Sequence, residues 1–197
     1  MLNRLRAKIV PLTSKMGIKL GSLGLSPTAW STIGFATSIA SATCFGFAKF
    51  STSVPLLVIG SILLLLSGFF DVVDGSVARS TNRITKKGAF IDSIYDKFGE
   101  IAVFIGILVG GLADPVVCLI AAATSLMVSY SRARAESLGI ELEGIGIGER
   151  AERLLVIAIA GFIPVQYSLE VGIVVVSILS AFTFLQRFRH IIGKLND

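Results

Sequence analysis

The sequence predicts an all-α integral membrane protein, in which six transmembrane helices follow an N-terminal amphipathic helix in the membrane interface. Two observations of composition support this fold class. Of the 197 residues, 53% are hydrophobic and only 16% are charged, whereas soluble proteins average about 25% charged residues. The mean hydropathy is +0.82, and charge-poor runs of about 20 residues, the length that crosses a bilayer, recur along the chain. A separate soluble domain therefore has little room.

The N-terminal segment, residues 1–24, combines basic residues with apolar side chains at helical spacing. This mixture favours a helix lying in the interface over a frayed basic tail. Because the charges interrupt any apolar h-region, no signal peptide is evident. The predicted transmembrane domain, residues 25–197, begins at a serine N-cap followed by proline, Ser26-Pro27.

The predicted spans cover residues 28–47, 54–78, 88–112, 116–136, 149–165 and 169–188. In this arrangement Lys49 alone falls on one side, and the other Lys and Arg residues, which total 18 with it, fall on the opposite side. By the positive-inside rule, both termini and the junction between spans two and three face the cytoplasm. We therefore expect a multi-pass protein of the cell membrane.

Four aspartates lie close together at the junction between spans two and three: Asp71, Asp74, Asp92 and Asp96. The first two are three positions apart and the last two are four apart, so each pair shares one face of its helix. A carboxylate near the bilayer centre costs about 2.5–3.5 kcal/mol on insertion scales, and a divalent cation would offset such a cost. Carboxylate oxygens are the ligands that suit Mg²⁺ or Mn²⁺.

Small residues and one arginine flank these aspartates. Gly75 and Ala78 lie one turn beyond the first pair, and Gly88 lies one turn before the second pair, which leaves room for a bulky ligand. Arg79 adds a fork of donors suited to phosphate. Solvated aspartates on an ordinary helical turn would explain one or two acids, but not four at this spacing. A proton or cation pathway is the rival functional interpretation, but the acids cluster at one membrane face and Glu100 alone extends further inward.

The stretch from Asp71 to Asp96 reads Asp-x2-Asp-Gly-x2-Ala-Arg-x8-Gly-x3-Asp-x3-Asp. Without a departure, it resembles the signature of the CDP-alcohol phosphatidyltransferase family, and the six-span topology resembles that family over essentially the whole chain. The resemblance implies transfer of a phosphatidyl-type group from a CDP-activated lipid to a hydroxyl acceptor, with release of CMP. It also implies two metal ions held by the four aspartates, Asp96 as the catalytic base, and a homodimer.

The resemblance further implies a CDP-lipid site. Its residues would be Pro27, Thr28, Asp71, Gly75, Ala78, Arg79 and Thr85. A helix cap alone would explain Pro27-Thr28 equally well.

The connection between spans four and five resembles the branch of the family that uses inositol phosphate as the acceptor. The residues that would bind the acceptor phosphate are Ser129, Arg132, Arg134, Arg150 and Arg153. Arg150 and Arg153 share a helix face, and arginine forks bind phosphate, although positive-inside topology alone accounts for some of these charges. The expected partners are a CDP-activated lipid, a phosphorylated polyol and the bilayer, and no nucleic acid.

Two alternatives remain open at the level of the sequence. Glycerol 3-phosphate would fit the same cationic pocket, and a divalent-cation transporter would use the same carboxylates without being an enzyme. The sequence does not distinguish acyl ester from isoprenoid ether tails, nor Mg²⁺ from Mn²⁺.

Overall fold

The structure, a computed structural model, describes residues 16–48, 54–142 and 144–195. Helices and short connections make up this part of the chain, which contains no strand, so the all-α prediction is confirmed. A helical segment over residues 16–21 precedes the long helices, which are α1 (Pro27–Phe47), α2 (Val54–Ser80), α3 (Lys86–Val109), α4 (Pro115–Ser137), α5 (Arg150–Phe162) and α6 (Ser168–Leu195). Most of the predicted interfacial helix, residues 1–15, lies outside the described residues, as do residues 49–53.

The long helices follow the predicted spans closely, but they differ in how well they suit a membrane. Among the residues that the structure describes, three helices are long and apolar enough to cross a bilayer, namely α2, α4 and α6. The 13 residues of α5 extend about 20 Å, less than the hydrocarbon thickness of about 30 Å. Charged residues occupy much of the first half of α3. The structure therefore contains helices that could cross a membrane, and the six-span topology stays a prediction.

Local sequence explains where the helices near the aspartates begin and end. Ser26 caps α1, because its Oγ accepts a hydrogen bond from the Ala29 N–H at 3.1 Å and Pro27 occupies the first turn. Thr85 caps α3 in the same way, accepting from the Gly88 N–H at 3.0 Å. Between α2 and α3, Asn82 has a φ of 54°, a left-handed conformation that asparagine adopts more readily than most residues. The short turn brings the aspartates of α2 and α3 to the same end of the bundle.

A seam of glycines on α3 lets α1 approach closely. An added Cβ on Gly106 would lie 2.8 Å from the carbonyl carbon and 2.9 Å from the Cα of Ala42, and one on Gly110 would meet the Phe45 carbonyl oxygen. Further along the same face, a Cβ on Gly99 would meet the Ser38 hydroxyl. Close contact of backbones through small residues is how membrane helices commonly pack. Since Asp92 lies two turns before Gly99 on α3, this seam also turns Asp92 towards α1.

The core lies among all six long helices, with Phe45, Leu64, Ile107 and Ile157 fully or almost fully buried. α5 packs against α2 and α6, and α4 packs against α6 and α3. This arrangement carries the N-terminal end of α5 to the aspartate-bearing ends of α2 and α3.

Candidate metal and substrate site

Three of the predicted aspartates converge beside the α2–α3 turn. Asp71, Asp92 and Asp96 each offer a carboxylate oxygen, and these oxygens all lie within 4.8 Å of one another. That spacing allows all three to ligate a common cation. All three side chains are half-buried, so a ligand can still reach them.

Asp74 occupies a different environment from the other three. It is 5% exposed, and its buried Oδ2 has no hydrogen-bond partner among the described residues. A buried carboxylate oxygen without a partner is costly, and a cation at the cluster would offset that cost. The donor set therefore fits a hard divalent cation such as Mg²⁺ or Mn²⁺.

Arg150 reaches the aspartate cluster from the first turn of α5. Its Nη1 lies 2.8 Å from Asp96 Oδ1 and 3.1 Å from Asp71 Oδ1, and its side chain is 15% exposed. Its Nε is buried and donates to no acceptor among the described residues. Because a single guanidinium faces several carboxylates, the cluster keeps a net negative charge that favours a cation, while Arg150 retains a donor for an anion.

A small cavity extends from this cluster between α1, α2 and α3. Besides the four aspartates and Arg150, its lining residues are Ser31, Gly34, Phe35, Ser38, Ser67 and Tyr95. The Tyr95 ring stacks on Phe35 with centroids 4.7 Å apart. Sequence reasoning missed these serines, although Ser67 lies one turn before Asp71 and shares its helix face.

The structure also brings together the threonines predicted for the CDP-lipid site. An added Cβ on Gly88 would lie 3.0 Å from Thr85 Oγ1 and 3.9 Å from Thr28 Oγ1. The first turns of α1, where Pro27 lies, and of α3 therefore meet at Gly88.

The α2 residues predicted for the CDP-lipid site lie next to Asp71 and Asp74. The guanidinium of Arg79 lies over Gly75, because an added Cβ there would be 3.3 Å from Arg79 Nη1. Ala78 is half-buried on the same helix. A larger residue at position 75 would push Arg79 out of this orientation.

The five residues predicted to bind the acceptor phosphate do not form one cluster. Arg150 alone of the five lines the cavity. Arg132 is exposed and pairs with Glu136 at 3.0 Å, the exposed Arg134 donates to Ser137 Oγ at 3.3 Å, and Ser129 donates to the backbone of its own helix.

Arg153, which is also predicted to bind the acceptor phosphate, makes its hydrogen bonds within the protein. It is 1% exposed, and its Nε and Nη2 donate to Glu100 at 2.7 and 3.0 Å. Its Nη1 donates to the Gly148 carbonyl at 2.8 Å. The physical reason is its position one turn further along α5, where its side chain reaches Glu100 of α3.

Arg187 is a second buried arginine, and sequence reasoning assigned no role to it. It donates to the carbonyls of Ile145 and Val128 and, at 3.0 Å, to Glu149 Oε1. It thereby fastens the α4–α5 connection to α6. The sequence contained a signal for this burial, because Arg187 lies at the helical spacing that continues the buried face of α6.

The fold and the site together define a helical protein with helices apolar enough to cross a membrane, and with a carboxylate cluster that could hold a cation beside an arginine at one end of its bundle. The model of one family, CDP-alcohol phosphatidyltransferase, matches residues 30–185. The chain belongs to this family.

Relatives with assigned names cover most of the chain. It is 35% identical over 187 residues to the archaetidylinositol phosphate synthase of Pyrococcus horikoshii, which covers 95% of this chain and 94% of the relative. It is 41% identical over 160 residues to the archaetidylinositol phosphate synthase of Methanothermobacter thermautotrophicus, covering 80% of this chain and 79% of the relative.

Solved structures agree in fold. The phosphatidylinositol phosphate synthase of Mycobacterium tuberculosis with CDP-DAG bound has a TM-score of 0.75 and 28% sequence identity, covering 92% of this chain and 94% of its own. The same synthase in complex with manganese and citrate has a TM-score of 0.73 and 29% identity, covering 91% and 88%.

Proposed function

We propose that this protein transfers a phosphatidyl-type group from a CDP-activated lipid to a hydroxyl of inositol 1-phosphate, releasing CMP. The observation that carries the proposal is the convergence of Asp71, Asp92 and Asp96 with Arg150 in a member of this family. The similarity to inositol phosphate synthases over nearly the whole chain supports inositol 1-phosphate over glycerol 3-phosphate as the acceptor. The lipid is diacylglycerol- or archaeol-based, since named relatives of both kinds are similar to this chain.

The four aspartates would hold Mg²⁺ or Mn²⁺, with room in the donor set for two ions. Asp71, Asp92 and Asp96 would supply converging oxygens, and Asp74 would supply its buried Oδ2. When bound, such ions polarise a diphosphate and neutralise the charge that develops on the leaving group.

The remaining residues of α1–α3 would bind and orient the CDP-lipid. Arg79 presents a guanidinium fork to the diphosphate, and Gly75 gives that guanidinium its place along α2. Ala78 leaves space beside the diphosphate, and Pro27, Thr28 and Thr85 line the place where α1 and α3 begin.

The transfer itself needs a proton acceptor and a bound acceptor molecule. Asp96 would accept the proton of the attacking hydroxyl. The hydroxyl oxygen would then bond to the lipid-side phosphorus, while the bond from that phosphorus to the CMP oxygen breaks. Arg150 contacts Asp96 and has an unpartnered Nε, so it would hold the acceptor phosphate beside the base. Ser129, Arg132 and Arg134 on α4 are proposed to complete the acceptor site.

We also propose six spans, with both termini and the site on the cytoplasmic face of the cell membrane. The one-sided distribution of basic residues supports this topology. Residues 1–24 would form the interfacial helix, residues 25–197 the catalytic domain, and two chains a homodimer.

Release of CMP tests the proposed function. Purified protein is incubated with CDP-diacylglycerol or CDP-archaeol, Mg²⁺ or Mn²⁺, and either inositol 1-phosphate or glycerol 3-phosphate. We expect CMP release with inositol 1-phosphate, abolished by EDTA and by Asp92→Asn. Release with glycerol 3-phosphate alone would overturn the acceptor assignment, and no metal-dependent release with either acceptor would overturn the transferase.

A further inference from the structure

Two ion pairs, one helical turn apart, join α3 to α5. On α3, Asp96 and Glu100 are four residues apart, and on α5, Arg150 and Arg153 are three apart, so each pair of residues shares a helix face. The outer contact is Arg150 Nη1 to Asp96 Oδ1 at 2.8 Å. The inner contact is Arg153 to Glu100, made through two hydrogen bonds of 2.7 and 3.0 Å.

The inner pair is the more tightly constrained of the two. Arg153 and Glu100 are 1% and 3% exposed, and their contact is bidentate. A bidentate arginine–carboxylate pair has one preferred geometry. If the two buried charges separated, water would not solvate them, so separation is costly. Arg150, in contrast, uses a single nitrogen at the carboxylates and leaves its Nε without an acceptor among the described residues. Its own contacts therefore do little to fix its orientation.

The chain immediately before Arg150 is also held, from the side of α6. The Gly148 N–H donates to Thr183 Oγ1 at 2.8 Å, and the Gly148 carbonyl accepts from Arg153. Arg187 binds Glu149 at 3.0 Å. Both residues that precede Arg150 are thus bound to the core, and Arg153 contributes to one of these bonds as well as to the contact with α3.

We propose that Glu100 and Arg153 are positioning residues, whose buried pair sets the rotation and depth of α5 and so places the Arg150 guanidinium on Asp71 and Asp96. Neither residue lines the cavity, and they act on the site through Arg150. The effect on acceptor binding rests on the proposed function, whereas the effect on the carboxylate cluster does not.

A thermodynamic cycle separates a positioning role from a merely structural one. The first variant, Glu100→Gln with Arg153→Gln, removes both charges of the inner pair and leaves no unpaired buried ion. The second is Arg150→Gln, and the third combines all three substitutions. Glu141→Gln, at an exposed carboxylate of the α4–α5 connection, is the matched control. Glu100→Asp, which keeps both charges and retracts the carboxylate by one methylene, serves if the double variant does not fold.

The first readout is the KM for inositol 1-phosphate. We expect the inner-pair variant to raise it by about tenfold and Arg150→Gln by more, with the triple variant within about twofold of Arg150→Gln. The KM for CDP-lipid should change by less than about twofold in the inner-pair variant. Equal increases in both KM values, or effects of the inner pair and Arg150 that multiply, would overturn the proposal.

The second readout is the Kd of Mn²⁺, measured by electron paramagnetic resonance without any turnover. Arg150 places positive charge on two of the clustered carboxylates, so Arg150→Gln should tighten Mn²⁺ binding by about fivefold or more. The inner-pair variant should tighten Mn²⁺ binding by less than Arg150→Gln does. In the triple variant, Mn²⁺ affinity should equal that of Arg150→Gln alone. An inner-pair variant that folds and leaves Mn²⁺ affinity unchanged would overturn the proposal. If no CMP were released with any acceptor, the proposed function would fail while this measurement still decided the role of Glu100 and Arg153.

Discussion

Replacing Gly106 by alanine tests the close contact between α1 and α3 that orients the aspartate-bearing face of α3. The added Cβ would lie 2.8 Å from the carbonyl carbon and 2.9 Å from the Cα of Ala42, and it would also meet the Ala42 carbonyl oxygen. These are backbone atoms, so no side-chain rotation can relieve the overlap. Ordinary carbon–carbon contacts are about 3.5–4.0 Å long, so α1 and α3 would have to separate by at least about 0.7 Å.

The magnitude follows from overpacking a tight contact, which costs about 1–3 kcal/mol. We expect Gly106→Ala to lower the free energy of unfolding by about 2 kcal/mol despite the better helix propensity of alanine. For a chain of this length, that change lowers Tm by about 4–8 °C. Gly193→Ala is the matched control, since nothing lies within 4 Å of a Cβ added to Gly193 in α6. It should be neutral or stabilising by up to about 1 kcal/mol.

Thermal unfolding of the detergent-solubilised protein, followed by circular dichroism, measures both variants under identical conditions. The reasoning would be refuted if Gly106→Ala matched or exceeded the Tm of the unsubstituted protein. It would also be refuted if Gly193→Ala lost as much as Gly106→Ala, because helix flexibility rather than interhelical contact would then explain the loss.

Two further predictions concern the site and the connection that leads to it. Asp96→Asn should abolish CMP release while leaving CDP-lipid affinity, measured by calorimetry, largely intact, because the amide cannot accept the hydroxyl proton; loss of CDP-lipid binding would show that Asp96 mainly assembles the metal site. Arg187→Met should destabilise the protein by about 2 kcal/mol, because the Ile145 and Val128 carbonyls lose their donor. Cleavage by a glutamate-specific protease at Glu141 should become faster, because the bond from Arg187 to Glu149 is lost as well. The matched Arg189→Met, at an exposed position of α6, should leave the cleavage rate unchanged, and equal rates for all three proteins would contradict the role of Arg187.

Much of the fold was predictable because its signals are local. The bounds of α1 to α5 lie within three residues of the predicted spans, since caps such as Ser26 and Thr85 and the apolar runs between them act within one helix. α6 extends beyond its predicted end at residue 188 to Leu195, because basic residues that end an apolar run do not end a helix. The hydropathy signal for membrane crossing is weaker in the other helices, because α1 is rich in serine and threonine, α3 carries charged residues and α5 has only 13 residues.

The site was predictable to the extent that it depends on spacing along one helix. Intervals of three and four residues place Asp71 with Asp74 and Asp92 with Asp96, and the short turn joins the two pairs. The sequence could not indicate that Asp74 would be the buried member, since that depends on how α2 is rotated against its neighbours. The same limit applied to Arg150 and Arg153, which have the same residue type and share a helix face.

The all-α class, the helix ends near the turn and the four aspartates with their flanking small residues follow from the sequence alone, because each of these depends on periodicity or capping within a few residues. The contact of Arg150 with the aspartates, the pairing of Arg153 with Glu100 and the absence of Arg132 and Arg134 from the cavity lining arise from the tertiary structure. These outcomes depend on the depth and rotation of α5 and α4 against the other helices. That geometry is set by contacts between residues about 40 to 60 positions apart, such as Arg153 with Glu100 and Arg187 with Val128, which no local pattern encodes.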